Sequence, residues 1–509
     1  MASAEKMSNE QRALHALNRL GFGPRPGDLE HVRAIGVEPY IHSQLNPETI
    51  PINESLVRRV SECRTLHMTP VALFVEFERP IRAAQKADEE TKKQARLRAM
   101  QINREGVEAR ILRAIEGPRQ LQEVMTAFWF NHFNVFAGKG LCHLWTASFE
   151  ETAIRPHTMG RFRDLLGATA RHPAMLFYLD NWQNSAPGSG NGKFEGINEN
   201  YARELMELHT LGVNGGYSQQ DVTTLAHILT GWGLVKPAKI GRGRFRPVDP
   251  SGFYFDPERH DFGTKNFLGH TIRGAGAGEV EQVLDILSRH PSTAHHLSYQ
   301  LAQYFVADAP PQALVDRMAQ RYLATDGDIR GVLTTMFDGP EFFDPRYYRA
   351  KFKTPYEYVI SSVRATGTDV TNFRPLAGTM QLLGMPIYGC LTPNGYSNTQ
   401  EAWLNPDAMM MRLSFATALG TGNLPLEVPQ FETNGSPNNR GYVNRTGKAK
   451  MIVLADTDKP QRKMETPDAA RVAMTLGGAF SSATSGAIEA APANMHAAMM
   501  VGSPEFMMR

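Results

Sequence analysis

Helix start and stop signals recur along this chain from end to end, while strand alternation never persists for more than a few residues. That pattern limits the fold most, because capping residues, apolar stripes of 3.6 period and Gly or Pro stops select packed helices. Ser8 and Gln11 form a capping-box pattern, followed by a stop at Gly21, Gly23 and Pro24, and predict a first helix over 9–20. Residues 80–117 are dense in charge and in strong helix formers, interrupted only by Gly106, and predict a solvated helix or helical pair. Residues 119–136 (RQLQEVMTAFWFNHFNVF) put Val124, Met125, Phe128, Trp129 and His132 on one face and predict a core helix. Further helices are expected near 148–155, 161–170, 198–211, 218–231, 279–288, 292–306, 311–323 and 328–337.

The only persuasive strands are short aromatic pieces around Phe245, Phe253 to Phe255 and Asn266 to His270, each bounded by Pro or Gly. The expected fold class is therefore mainly α, a large helical domain over 1–420 carrying a small antiparallel β-insert at about 243–270. Residues 421–468, rich in Asn, Gly, Pro, Lys and Thr, are expected to form an irregular surface excursion. Helices over 469–509 are expected to pack back on the main domain.

Composition narrows the function classes. With 509 residues and 42% hydrophobic content the chain is globular, and 54 Lys plus Arg against 52 Asp plus Glu give no overall pull toward nucleic acid. Cys63, Cys142 and Cys390 are too few and too scattered for a disulfide scaffold or a Cys-x-x-Cys zinc site. No run approaches the roughly 18 apolar residues of a membrane span, and the opening MASAEKMSNEQ lacks the apolar region of a secretory signal. The expectation is a soluble chain whose compartment stays open. The Gly192-Lys193 pair does not complete a phosphate loop, because Pro187 and Phe194 stand where that motif needs Gly and a hydroxyl. Zincin, nucleophile-elbow and dinucleotide motifs are absent as well.

What remains is a concentration of imidazoles and carboxylates. Glu204 and Glu207 are three apart and share a helical face, as metal-binding or acid–base pairs on bundle helices do. His209 lies about 200° round from Glu207 and joins it only if the helix ends, which Gly212 provides. A salt-bridge ladder through Glu199, Arg203 and Glu207 is the structural alternative. His132 sits among Phe128, Trp129, Phe130 and Phe133, surroundings in which a histidine is more often a satisfied core residue than a ligand. His260 and Asp261 lie in a loop, where core packing does not explain them. The expectation is one internal pocket with His132, Glu204, Glu207 and His209 as metal ligands, and with His260 and Asp261 as catalytic residues at its rim. Iron, manganese or zinc suits that donor set. Haem is the weaker alternative, since no Cys-x-x-Cys-His attachment sequence occurs.

The strings ALNRLGFGPRPGD, FWFNHFNVF, IRPHTMGRFRDLL, HPAMLFYLDN, NENYARELMELHTLGVNGGYSQQDV, LTGW, RHDFGTKNFLG and SPEF, in that order, resemble the bacterial domain-of-unknown-function 1800 family over nearly the whole chain. The resemblance brings no settled activity. It implies relatives that are exported and encoded beside proteins of the domain-of-unknown-function 1501 family, although the export signal is missing here. Two functions follow as expectations. One is a metal-dependent enzyme, an oxidoreductase or hydrolase acting on a small-molecule or polymer substrate. The other is a non-catalytic helical binding or assembly protein with a domain-of-unknown-function 1501 partner.

Overall fold

The computed structural model describes residues 6–189, 196–235, 249–427, 464–478 and 480–509. They form a mainly α-helical fold. The first helix is Asn9–Arg19, with both arms of the Ser8/Gln11 capping box formed. The aromatic segment is the helix Gln120–His132, with Val124, Met125, Phe128 and Trp129 all buried. The indole of Trp129 donates to the Thr158 carbonyl at 2.9 Å, so its one polar atom is satisfied inside the core. Four further expected helices are present as Gly278–Arg289, Pro291–Phe305, Gln312–Ala324 and Ile329–Phe337.

The charged segment differs from its expected form. Its long helix begins only at Glu89, where Asp88 accepts from the Thr91 amide, and runs unbroken to Glu116. Gly106 does not interrupt it. The missing side chain admits Ala147 of the neighbouring helix Cys142–Ser148, and a Cβ at position 106 would lie 2.6 Å from the Ala147 Cβ. The C-terminal half of the helix is buried through Ile102, Ala109, Ile111 and Leu112. Charge density hid that burial, because Arg110 and Arg113 are themselves enclosed. A π-helical turn over Phe149–Ile154 widens the backbone and delivers Glu150 to Arg110 at 2.7 Å and Glu151 to Arg113 at 2.6 Å. Arg155 joins the row by pairing with Glu123 at 2.7 Å. Three guanidinium groups thus meet three carboxylates, and the buried row is neutral.

Among the described residues the β-structure is two separate two-stranded antiparallel sheets. In the first, β1 (Trp232–Leu234) pairs with β2 (Phe253–Phe255), with Trp232 opposite Phe255. In the second, β3 (Lys265–Phe267) pairs with β4 (His270–Ile272), with Lys265 opposite Ile272. Strand β1 therefore precedes the expected insert, and Phe245 lies outside the described residues. The expected strand 266–270 is a hairpin, because Leu268 and Gly269 both take positive φ, 47° and 79°, the conformation of a tight two-residue turn. Residues 190–195 of the Gly-rich loop and 428–463 of the expected excursion also lie outside the described residues.

At the C-terminal end, the helix His496–Val501 packs so closely on Pro406–Gly420 that a Cβ on Gly420 would lie 2.4 Å from the Ala498 nitrogen. Residues 507–509 run beside 351–353: Lys353 N donates to Met507 O at 2.8 Å, and Arg509 N to Lys351 O at 2.7 Å. Among the described residues no helix is long and apolar enough to cross a membrane. Overfilling the tightest helix contact tests this packing. Gly106→Val should lower unfolding stability by about 1–3 kcal/mol, read by urea denaturation, and an unchanged midpoint would count against the Gly106–Ala147 contact.

Candidate functional site

The expected ligands separate into two groups. The helix Asn200–Glu207 ends in a wide turn in which the amides of Leu208 and His209 both donate to Glu204 O, at 2.9 and 3.0 Å. Gly212 follows at φ 82°. This ending turns His209 inward, its ring 6.2 Å from that of His132 and 5.0 Å from that of Phe133. Both ring nitrogens of His132 are engaged, Nδ1 with Gln300 Oε1 at 2.8 Å and Nε2 with His209 O at 3.2 Å. Burial, reinforced by His296, pushes its pKa down to about 3, so the ring is neutral. His296 Nε2 approaches Leu208 O at 3.4 Å. His132 and His296 thus meet carbonyls left open where the helix stops. His296 lies four residues before Gln300 on the helix Pro291–Phe305, which puts the two on one face.

Glu204 and Glu207 remain half-buried and do not join the imidazoles. The first step of the ladder forms, Arg203 to Glu199 at 3.2 Å, whereas Glu207 accepts weakly from the Tyr217 hydroxyl at 3.4 Å. Burial and the neighbouring Glu207 raise the Glu204 pKa. Among the described residues no three His, Cys, Asp or Glu side chains converge as a metal shell.

His260 and Asp261 belong to a closed network. His260 binds Glu279 Oε1 through Nε2 at 2.8 Å and Thr230 O through Nδ1 at 2.7 Å. Lys265 donates to Glu279 Oε2 at 2.9 Å, to Gly263 O at 2.8 Å and to Asp261 O. Asp261 accepts from His227 at 2.7 Å and from the Gly263 amide at 2.8 Å. Burial works against its charge, and those two donors still hold its pKa below the ordinary value. The network fastens the 256–267 segment to the helix Gly278–Arg289.

A third cluster is not balanced. Arg19, Lys351, Lys353, Arg412 and Arg509 are all buried around Glu357. The other carboxylate side chain of this cluster, Asp308, pairs with Lys351 from a partly exposed position. Glu357 accepts from Arg509 at 2.9 Å, from the Tyr304 hydroxyl at 3.0 Å and from the Thr354 amide at 2.8 Å. Five cationic side chains thus face the carboxylates of Glu357 and Asp308, with a third carboxylate, Glu505, at the edge of the neighbouring cleft. Arg412 stacks over Phe352 and Tyr358 and leaves Nε and Nη1 without partners, and burial pushes its pKa down to about 10. Beside the cluster lies a narrow cleft lined by His15, Tyr348, Arg349, Lys353, Glu505 and Arg509, with Leu14, Leu476, Phe480 and Phe506 as apolar wall. His15 is buried there, its ring packed against Phe342, Phe343 and Tyr348. Arg509 Nε is buried there without a hydrogen-bond partner among the described residues. Arg349 takes φ 51°, a conformation that a non-glycine residue holds only when its surroundings impose it. Glu505 is occupied with the Ser481 amide at 3.0 Å and with Thr484.

Fold and cleft together define a mainly α-helical protein with a small pocket edged by buried cations. The chain belongs to the family described as "Protein of unknown function (DUF1800)", whose sequence profile matches residues 15–508. No curated protein and no solved structure matches the chain.

The closed network makes a stability prediction. Glu279→Ala leaves Lys265 and His260 without their buried partner and should cost about 3–5 kcal/mol, measured by thermal and urea unfolding. A loss within the ±0.5 kcal/mol of an ordinary surface substitution would contradict a structural role for the network.

Proposed function

We propose that this protein binds a small organic anion, in the cleft between the first helix, the 348–353 segment and the C-terminal residues. The observation that carries this reading is the cleft lined by His15, Arg349, Lys353 and Arg509, in which the buried Arg509 Nε has no hydrogen-bond partner among the described residues. Buried polar atoms without partners cost free energy, as does a surplus of buried like charge. An anionic ligand relieves both costs. Guanidinium groups suit carboxylate or phosphate oxygens, and the wall of Leu14, Leu476 and Phe506 suits an apolar body next to the anionic group.

The metal-dependent enzyme is the weaker reading. His132 and His209 stand together, yet both nitrogens of His132 are committed to Gln300 and to a carbonyl, and the two glutamates lie apart from them. Direct titration calorimetry with acetate, benzoate and inorganic phosphate tests the anion reading on the full chain. Saturable binding near one equivalent is expected for at least one of the three, weakened roughly tenfold in Arg349→Ala, the scale of a lost charge-assisted hydrogen bond. Absence of saturable binding by all three, or binding indifferent to Arg349→Ala in a folded variant, would overturn it.

A further inference from the structure

A helix that faces water ordinarily carries charged residues on its outer side, and the helix Pro406–Gly420 has only Asp407 there, since its other charged residue, Arg412, is buried. Met410, Leu413 and Thr417 recur at i, i+3 and i+7 on that outer side, and Met410 and Leu413 are 64% and 42% exposed. Leu413 and Thr417 form one wall of a groove of about 240 Å³, and Met410 extends the stripe one turn beyond it. The facing walls are Ile488 on the helix Ser482–Ala490, with Met495 and Met499 before and within the helix His496–Val501. Unbranched methionine side chains adapt their shape to an incoming surface. The charge at this end of the molecule has one sign. The stretches that build it, 401–427 and 482–509, contain two Lys or Arg residues, Arg412 and Arg509, and both are buried. Asp407 and Glu489 are exposed. Glu505 is half-buried next to Pro504 of the groove, and although burial works against its charge, the Ser481 and Thr484 donors hold its pKa down to about 2.

We propose that this groove docks a basic amphipathic helix of a partner protein, whose apolar side chains enter between Leu413, Ile488 and Met499 while its Lys or Arg residues meet Asp407, Glu489 and Glu505. Such a helix enters an apolar groove with anchors at i, i+3 or i+4 and i+7, and the stripe from Met410 to Thr417 runs for about 10 Å, the length of two helical turns. Charge decides between occupants. A second copy of this chain would bring the same carboxylates against themselves, and the anionic headgroups of a lipid surface would meet them with like charge. A cationic helix gains from every one of them. Complementary charge at the rim speeds its encounter and rejects other partners, and the desolvated apolar centre supplies most of the affinity. The apolar anchors of this groove are separate from the lining of the anion cleft, so the inference does not depend on that reading.

Two labelled synthetic helices of about 14 residues, or four turns, test this on the full chain by fluorescence anisotropy. Both carry the same leucine stripe, one with lysine at every other position and one with glutamate. The lysine peptide is expected to bind saturably near one equivalent and at least about tenfold more tightly than the glutamate peptide. Leu413→Lys removes an apolar anchor and adds like charge, and should weaken the lysine peptide at least about tenfold. Glu489→Lys should weaken it by a smaller factor that shrinks as salt is raised. No saturable binding of the lysine peptide, or equal binding of both peptides by the unsubstituted protein, would overturn the proposal, whatever the folding of the variants. Binding unchanged in a folded Leu413→Lys variant would overturn it as well. Sedimentation velocity and flotation with phosphatidylglycerol vesicles address the other occupants. A dimer, or vesicle binding, that disappears in Leu413→Lys would assign the groove to a second copy or to lipid instead.

Discussion

The carboxylate of Glu357 is the interaction on which much of this fold depends. It is buried, and burial alone would drive it neutral, yet Arg509, the Thr354 amide and the Tyr304 hydroxyl hold its pKa below the ordinary value. Those three donors come from the helix Pro291–Phe305, the cap of the helix Pro355–Thr366 and the C-terminal residue. One carboxylate therefore ties together segments some 200 and 150 residues apart in sequence. Removing it would leave several cations in a low-dielectric interior, the costliest kind of vacancy a core can carry.

Charge balance separates the three buried ionic networks by purpose. The row of Arg110, Arg113 and Arg155 with Glu123, Glu150 and Glu151 is neutral, each guanidinium paired with a carboxylate. The His260–Glu279–Lys265 network is also closed, with each charged atom matched. Both are explained by packing. The group around Glu357 carries more cationic than anionic side chains, Arg412 Nε and Nη1 and Arg509 Nε in it have no hydrogen-bond partner among the described residues, and it borders the cleft beside the first helix. Function is read here from what a structural account leaves unexplained.

Much of the helical scaffold was legible in the sequence because capping and apolar period act locally. The Ser8/Gln11 box and the aromatic helix before Phe133 follow from side chains within a turn or two of each other. The site was hidden for the opposite reason. Arg19 and His15 lie on the apolar face of the first helix among Ala13, Leu14, Ala16 and Leu17, and local pattern cannot say that Phe305 O and Tyr347 O wait for Arg19 at 3.1 and 2.8 Å. The motif RHDFGTKNFLG drew attention to His260 and Asp261, and its polar residues close a structural staple. Burial of a charge depends on partners hundreds of residues away, and a single sequence shows none of them. His209 was placed by the helix ending after Glu207, which the sequence did signal through Gly212, while the partner of that turn, His296, went unread.

The central claim is that this cluster of buried cations takes up an anion, to which the ionisation of Lys353, one of its members, responds. Competitive acetylation of the native protein across pH, with the labelling of each lysine followed by peptide mass spectrometry, measures that most directly. The account predicts an ionisation midpoint for Lys353 well below that of surface Lys93, moving upward when acetate fills the cleft. A Lys353 that titrates with the surface lysines and ignores acetate would contradict it.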